Sequence, residues 1–317
     1  MEKKDKEQDI IPPVKRSLIQ KELTREKFFR NTNKANNEIY LVDAHDSPHT
    51  VREIGRLREI SFRQAGGGTG KEIDLDDFDL AKTPYKQLIV WDPAAQEIVG
   101  GYRYICCWEA PLKDDGTPLI ATSELFYFSE KFKTKYLPYT IELGRSFVQP
   151  AYQPSRENRK SIYSLDNLWD GLGGLVVDYP LVKYFVGKIT MYQHFDAYAR
   201  DLILYFMHRF FSDPDKLIRP HKPLTISTPE EKMAAVFTGS TFDENYRLLS
   251  QHVRQRGENI PPLFNSYMGL SPSMRTFGTA INQGFGGVEE TGIMITIQDI
   301  YDVKAKRHVS THRRSRT

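Results

Sequence analysis

The sequence predicts an α/β protein, and three observations point there. Strand-like apolar runs and amphipathic helical stretches alternate along most of the chain. Of 317 residues, 39% are hydrophobic and 12% aromatic, enough for a sizeable core. Neither an internal repeat nor a low-complexity linker divides the chain, so one domain over residues 21–302 is expected. Residues 1–20, charged and interrupted by prolines, are expected to be a flexible N-terminal arm. Residues 303–317, with Lys304, Lys306, Arg307, Arg313, Arg314 and Arg316, are expected to be a basic, solvated tail.

The elements follow in order. Ser47-Pro48 supplies N-cap and N1 residues, and Val51, Ile54, Leu57 and Ile60 recur at helical spacing, so a helix is expected over 48–65, stopped by the glycines at 66–68. Residues 87–91 and 97–106 are strand-like runs joined into a β-hairpin by a proline-containing loop of about five residues. A strand near 125–128 and a short helix begun by Ser129 come next. The run around Glu142 is strand-like and ends at Pro150. After a polar loop over 150–160, a helix over 162–177 carries Leu165, Leu168, Trp169, Leu172 and Val176 on one side. Residues 184–190 are a buried-strand candidate, and 195–211 an amphipathic helix with Phe195, Tyr198, Leu202, Tyr205, Phe206 and Phe210 on its apolar stripe. Residues 212–228 are expected as a loop, 229–257 as a helical insertion, and 288–300 as a late strand.

Composition excludes several classes. No apolar run approaches the roughly 20 residues of a transmembrane helix, and Met1-Glu2-Lys3-Lys4 opens no signal peptide. A net charge of +3 is too small to indicate nucleic acid. Cys106 and Cys107 are adjacent and cannot close a loop, which indicates a cytoplasmic protein. The segment Gly66-Gly67-Gly68-Thr69-Gly70-Lys71 fails as a phosphate loop. Its first glycine would fall at Ala65, Glu72 follows the lysine, and a helix rather than a strand precedes it. The run Asp74, Asp76, Asp77, Asp79 fails as a calcium loop, because Phe78 stands where an oxygen ligand belongs. No HExxH, paired-histidine helix face or Gly-x-Ser-x-Gly elbow occurs, so neither metal nor serine-nucleophile chemistry is expected.

What remains is charge inside an apolar strand. In Tyr139-Thr140-Ile141-Glu142-Leu143-Gly144-Arg145-Ser146-Phe147-Val148, Glu142 and Arg145 each need a partner or a substrate. Three apart, they would point to opposite faces of a regular strand, so a direct pair needs a bulge, for which Gly144 is suited.

Arg58 and Phe62-Arg63, then Asp76-Asp77-Phe78-Asp79, Leu88-Ile89-Val90-Trp91-Asp92, Ile98-Val99-Gly100-Gly101-Tyr102-Arg103 and Glu142-Leu143-Gly144-Arg145-Ser146 stand in an order that resembles a known family. They are similar to the GNAT-fold N-acyltransferases of ornithine-lipid and glycine-lipid synthesis, the haemolysin-like acyltransferases, and share much with acyl-homoserine-lactone synthases. The Leu168-Trp169-Asp170-Gly171 segment adds to the likeness. Two departures stand out: Phe147 replaces a common cysteine, and no arginine follows Pro150 closely.

The resemblance implies a mixed, twisted sheet with helices on both faces, whose central parallel strands, that of Glu142 and residues 184–190, splay to admit a pantetheine arm. It implies an acyl-carrier-protein thioester as donor, with coenzyme A as the other carrier, and no permanent cofactor. The acceptor would be the α-amine of a small amino acid such as glycine or ornithine, and the acyl group a long chain, plain or 3-hydroxylated. Leu143, Gly144, Ser146, Phe147 and Val148 would line the acyl-pantetheine path, and Arg156 and Arg159 would take the carrier phosphate. Glu142 would act as acid/base, with Arg145 and Arg103 beside it and Asp76, Asp79 and Arg63 at the acceptor. Two alternatives stay open: the arginines grip the acceptor's carboxylate, or they and the acids form a buried network that only ties sheet to loop. Glu142 would then merely hold an arginine, most directly Arg103. Peripheral contact with the inner face of the membrane would fit a lipid product. The other readings are an acyl-homoserine-lactone synthase and a non-catalytic, membrane-associated haemolysin-like protein.

Overall fold

Residues 7–153 and 163–313 are described by the computed structural model. The strands are β1 (Phe28–Asn31), β2 (Glu38–Val42), β3 (Lys86–Asp92), β4 (Glu97–Cys106), β5 (Phe126–Phe128), β6 (Thr140–Val148), β7 (Tyr184–Met191), β8 (Ile218–Pro220), β9 (Arg275–Asn282) and β10 (Val288–Thr296). Eight of them form one sheet in the order β1-β2-β3-β4-β6-β7-β10-β9, and β5 pairs with β8 in a separate ribbon. Every pair in the large sheet is antiparallel except β6 with β7.

Strand β3 explains why the sequence there reads as one apolar run. Leu88 and Val90 face one core layer while Ile89 and Trp91 face another, so both sides of the strand are buried. Helix α2 (Pro48–Gln64) covers the second layer with Val51, Ile54, Leu57 and Phe62. Helices α5 (Ser164–Asp178) and α6 (Ala197–Phe210) cover the first. The expected insertion comprises α7 (Glu230–Ala234) and α8 (Phe242–Gln255), the latter closed by a Thr241/Glu244 capping box and packed on α6 through Phe206 and Phe242. Short helices α3 (Asp77–Leu80), α4 (Glu130–Lys135) and α9 (Pro262–Met268) complete this part of the chain. Ser47 precedes α2 as expected, but its hydroxyl accepts the Lys27 ammonium. Glu22 instead accepts the open N–H groups of His49 and Thr50.

Both termini depart from expectation. Residues 7–22 are no free arm: Ile11 and Ile19 are buried, Val14 N–H donates to Glu53, and helix α1 (Arg16–Glu22) packs on α2. A few apolar residues in a charged stretch suffice because the backbone also pairs with residues 70 and 72. The basic tail begins instead as helix α10 (Asp302–His308) against α5. Buried His308 lies 2.8 Å from Asp170 Oδ1, and Gly173 admits the approach, since a Cβ there would collide with the His308 carbonyl. Arg314 and Arg316 lie outside the described residues.

The relation of β6 to β7 positions the site. They pair from Thr140↔Tyr184 to Leu143↔Gly187 and no further. Beyond that point β6 stays with β4 as far as Val148, and β7 stays with β10 as far as Met191. Between Gly101↔Phe147 and Arg103↔Gly144 an extra residue enters β6, and Arg145 takes a left-handed backbone, φ 48°. Such a bulge bends and twists its strand, here on the side where β6 leaves β7. A bulge is present, centred on Arg145, but it does not join Arg145 to Glu142: Arg145 pairs with Asp74 and Asp76 instead.

Candidate active site

Arg103, on β4, faces the position of Gly144 on β6. Its Nη1 donates to Asp76 at 2.7 Å and to Asp79 at 3.0 Å. Asp76 caps α3 in a capping box with Asp79, so the acidic run is folded around its own backbone. Arg58 lies 3.2 Å from Asp79 and 2.5 Å from Gln87 Oε1, and Gln87 donates back to Asp79 at 2.9 Å. Arg145 Nε lies 3.0 Å from Asp74, and its guanidinium sits over the Phe285 ring at 4.1 Å. Burial opposes ionisation of Asp79, but Arg58 and Arg103 outweigh it and hold its carboxyl below the usual range. At Asp74 burial wins over Arg145 and pushes the carboxyl up.

Glu142 is held differently. Its Oε1 accepts the Thr122 N–H at 2.7 Å, and its Oε2 accepts the Tyr85 hydroxyl, which in turn accepts the Ala121 N–H at 2.9 Å. Burial and the neighbouring Glu142 push the Tyr85 phenol well above its ordinary value, so it donates. Among the described residues no arginine forms an ion pair with Glu142. Arg103 reaches it only through the Tyr85 ring, 4.9 Å from the guanidinium carbon to the ring centre.

Where β6 and β7 part, a cavity of about 470 Å³ opens. Glu142, Arg103, Arg145 and every residue of Leu143–Val148 line it, and so do Lys188 and Glu290. A much smaller apolar wedge of about 30 Å³, with Phe185, Ile189, Ile293 and Ile295, shares Leu143, Gly144 and Lys188 with it. Lys188 Nζ donates to the Ala121 carbonyl at 2.9 Å and lies 3.1 Å from Glu290.

Several expected site residues stand elsewhere. Arg63 does not line the cavity; it binds Glu59 at 2.7 Å, the Gln8 carbonyl at 2.7 Å and the Lys71 carbonyl. Asp76 and Asp79 lie behind Arg103 and Arg145, where Asp79 is fully enclosed and spent on three side chains, so they hold the arginines rather than face the cavity. Arg156 and Arg159 fall outside the described residues. The glycine-rich loop cradles the Glu59 carboxylate, which accepts the Thr69 and Gly70 N–H groups at 3.0 and 2.8 Å. Burial pushes the Cys106 thiol up to about 12 and Cys107 well above its ordinary value, leaving no reactive thiolate. Sequence reasoning missed Tyr85, Asp74, Lys188 and Glu290. A lysine inside Phe185-Val186-Gly187-Lys188-Ile189-Thr190-Met191 carried the same signal as Glu142.

A mixed sheet that splays at its parallel pair, with a carboxylate and cations at the opening, defines a GNAT-fold acyltransferase. Residues 57–160 match the family described as acetyltransferase (GNAT) domain. The chain is 52% identical over 304 residues, 96% of its own length and 93% of the relative's, to a glycine N(alpha)-acyltransferase of Phocaeicola vulgatus. It is 51% identical over 96% of its length and 90% of the relative's to a glycine N(alpha)-acyltransferase of Bacteroides thetaiotaomicron. No solved structure matches it. The chain belongs to the GNAT N-acyltransferase family that includes these two enzymes, and its co-substrate is an acyl thioester.

Proposed function

We propose that this enzyme transfers a long fatty acyl chain from acyl carrier protein to the α-amine of glycine, giving an N-acylglycine that serves as a lyso-aminolipid. The observation that carries the reading is the opening of β6 from β7 directly beside Glu142. Backbone groups of β6 beyond Leu143 that have no partner on β7 suit the amides of an extended pantetheine arm, as an added strand would. The adjoining wedge of Leu143, Phe185, Ile189, Ile293 and Ile295 is apolar and suits the first carbons of an acyl chain. The names of the two relatives favour glycine over ornithine.

In this reading Glu142 takes one proton from the acceptor's ammonium and passes it to solvent. The amine nitrogen attacks the thioester carbonyl carbon, and the oxyanion is met by N–H donors at the opening. Collapse breaks the C–S bond, and the second amine proton leaves with the sulfur as the carrier thiol. Tyr85 and the Thr122 N–H fix the Glu142 carboxylate, while Arg103 and Arg145, held by their aspartates, set the electrostatics of the wall. Among the described residues no helix is long and apolar enough to cross a membrane. Action in the cytoplasm, with the product delivered at the inner membrane face, completes the reading. Purified enzyme given acyl-carrier-protein and coenzyme A thioesters with a panel of amino acids tests it. N-acylglycine formed fastest from the carrier protein supports it, and transfer to water alone would defeat it.

A further inference from the structure

The cavity holds a buried ion pair that the chemistry above does not use. Lys188 is the first β7 residue beyond the last pair with β6, so it stands at the point of opening. Glu290 comes from the neighbouring β10, where it faces Thr190 while Gly292 faces Lys188. The lysine side chain is 12% exposed and the glutamate side chain 4%. Glu290 Oε2 is the oxygen that faces the Lys188 ammonium, at 3.1 Å, and it has no other partner among the described residues. Lys188 is also tied to the Ala121 carbonyl, and the next residue, Thr122, binds Glu142. One short turn therefore fixes the pair relative to Glu142.

A buried ion pair is weak evidence for stability, since apolar replacements often serve as well. The other cations of the cavity are already committed, Arg103 to Asp76 and Asp79 and Arg145 to Asp74 and Asp76. Each of those arginines is balanced by two carboxylates, whereas Lys188 has a single acidic partner. Gly292, the β10 residue opposite Lys188, is covered by Phe126, within 3.1 Å of where a Cβ would stand.

We infer that Lys188 and Glu290 form the clamp for the zwitterionic acceptor, Lys188 taking its carboxylate and Glu290 its ammonium. An α-amino acid carries the same two opposite charges a few bonds apart, so it can enter between the pair and satisfy both groups. The ammonium is thereby presented beside Glu142. This inference rests on the acyl-transfer reading and adds the identity of the acceptor subsite to it.

The test compares glycine with glycinamide, which keeps the amine and lacks the carboxylate, in the wild type and in Lys188→Met, Lys188→Arg and Glu290→Gln. In Lys188→Met the KM for glycine rises roughly 10- to 100-fold, and the preference for glycine over glycinamide disappears. Lys188→Arg restores most of that preference, and Glu290→Gln weakens both acceptors together. Folding is followed by circular dichroism, and the double variant Lys188→Met/Glu290→Met, which leaves no charge unpaired, replaces any single variant that does not fold. Calorimetric titration of glycine into donor-free protein is read in parallel. A wild type that binds glycine through Lys188 yet transfers no acyl group would sink the acyl-transfer reading and keep the clamp. A folded Lys188→Met or double variant with unchanged glycine KM, discrimination and binding heat overturns the clamp.

Discussion

Leu143 and Gly187 are the last residues at which β6 and β7 pair, and a Cβ on Gly187 would stand 2.6 Å from the Leu143 carbonyl oxygen. The strands approach there as closely as backbone allows, then part. Gly187→Ala must therefore push them apart at the hinge of the opening. We expect a loss of about 1–3 kcal/mol in urea unfolding, as for other overpacked core positions, together with a fall in kcat/KM.

Glu142 accepts the Tyr85 hydroxyl and the Thr122 N–H, an arrangement that Glu142→Gln retains in shape. With proton transfer removed, kcat should fall by about 10²- to 10⁴-fold while the unfolding midpoint changes little. Tyr85→Phe leaves the Ala121 N–H and one carboxylate oxygen short of a bond. Steady-state kinetics should place it between wild type and Glu142→Gln.

Asp79 makes stability fall in acid. Arg58 and Arg103 hold its carboxyl below the ordinary 3.8 in spite of burial. Below that value the unfolded chain binds a proton that the native state refuses, so the contribution of Asp79 is complete above 3.8 and is lost as pH falls. Asp74, pushed up by burial, acts in the opposite sense: its contribution is largest in acid and declines as pH rises through its raised value. Urea unfolding of Asp79→Asn should start from lower stability at neutral pH and show a shallower decline in acid than wild type. Parallel curves would remove Asp79 from this role.

Ile293 and Ile295 project into the apolar wedge from β10. Ile293→Phe fills that space and should lower kcat/KM for long acyl donors by at least roughly 10-fold while sparing short ones, a discrimination of the size that one or two methylenes produce in an apolar pocket. Competition between donors of different length, read by product mass, checks it.

Much of this architecture was legible. Pro48 and the spacing of Val51, Ile54 and Leu57 gave helix α2 almost to the residue, because helix periodicity and a proline start are local signals. The β3–β4 hairpin was equally plain. Strands β1, β2 and β9 went unread: β1 and β2 are four and five residues long, too short for a period to declare itself. Helix α10 was hidden because basic residues dominate it, while its docking depends on Gly173, more than a hundred residues earlier. At the site, the charges of Glu142, Arg103 and Arg145 announced themselves from apolar strands, but their partners did not. Which carboxylate meets which guanidinium was decided by the Arg145 bulge and by the folding of Asp76 and Asp79 into α3, long-range geometry that spacing does not encode. Arg63 was misplaced for the same reason, since the loop and the N-terminal segment it binds come together only in the fold.

The described residues also enclose a cavity of about 620 Å³ beside Tyr205, Leu224 and Met233, far from Glu142 in the sheet order, which gives the central claim a clear competitor. A crystal structure of the enzyme with a non-hydrolysable acyl-pantetheine thioether decides between them. We expect the pantetheine arm between Gly144–Val148 of β6 and Lys188–Met191 of β7, with its reacting carbon facing Glu142 and the first carbons of its chain at the wedge of Phe185 and Ile293. An arm seated beside Tyr205, with β6 and β7 left empty, would contradict it.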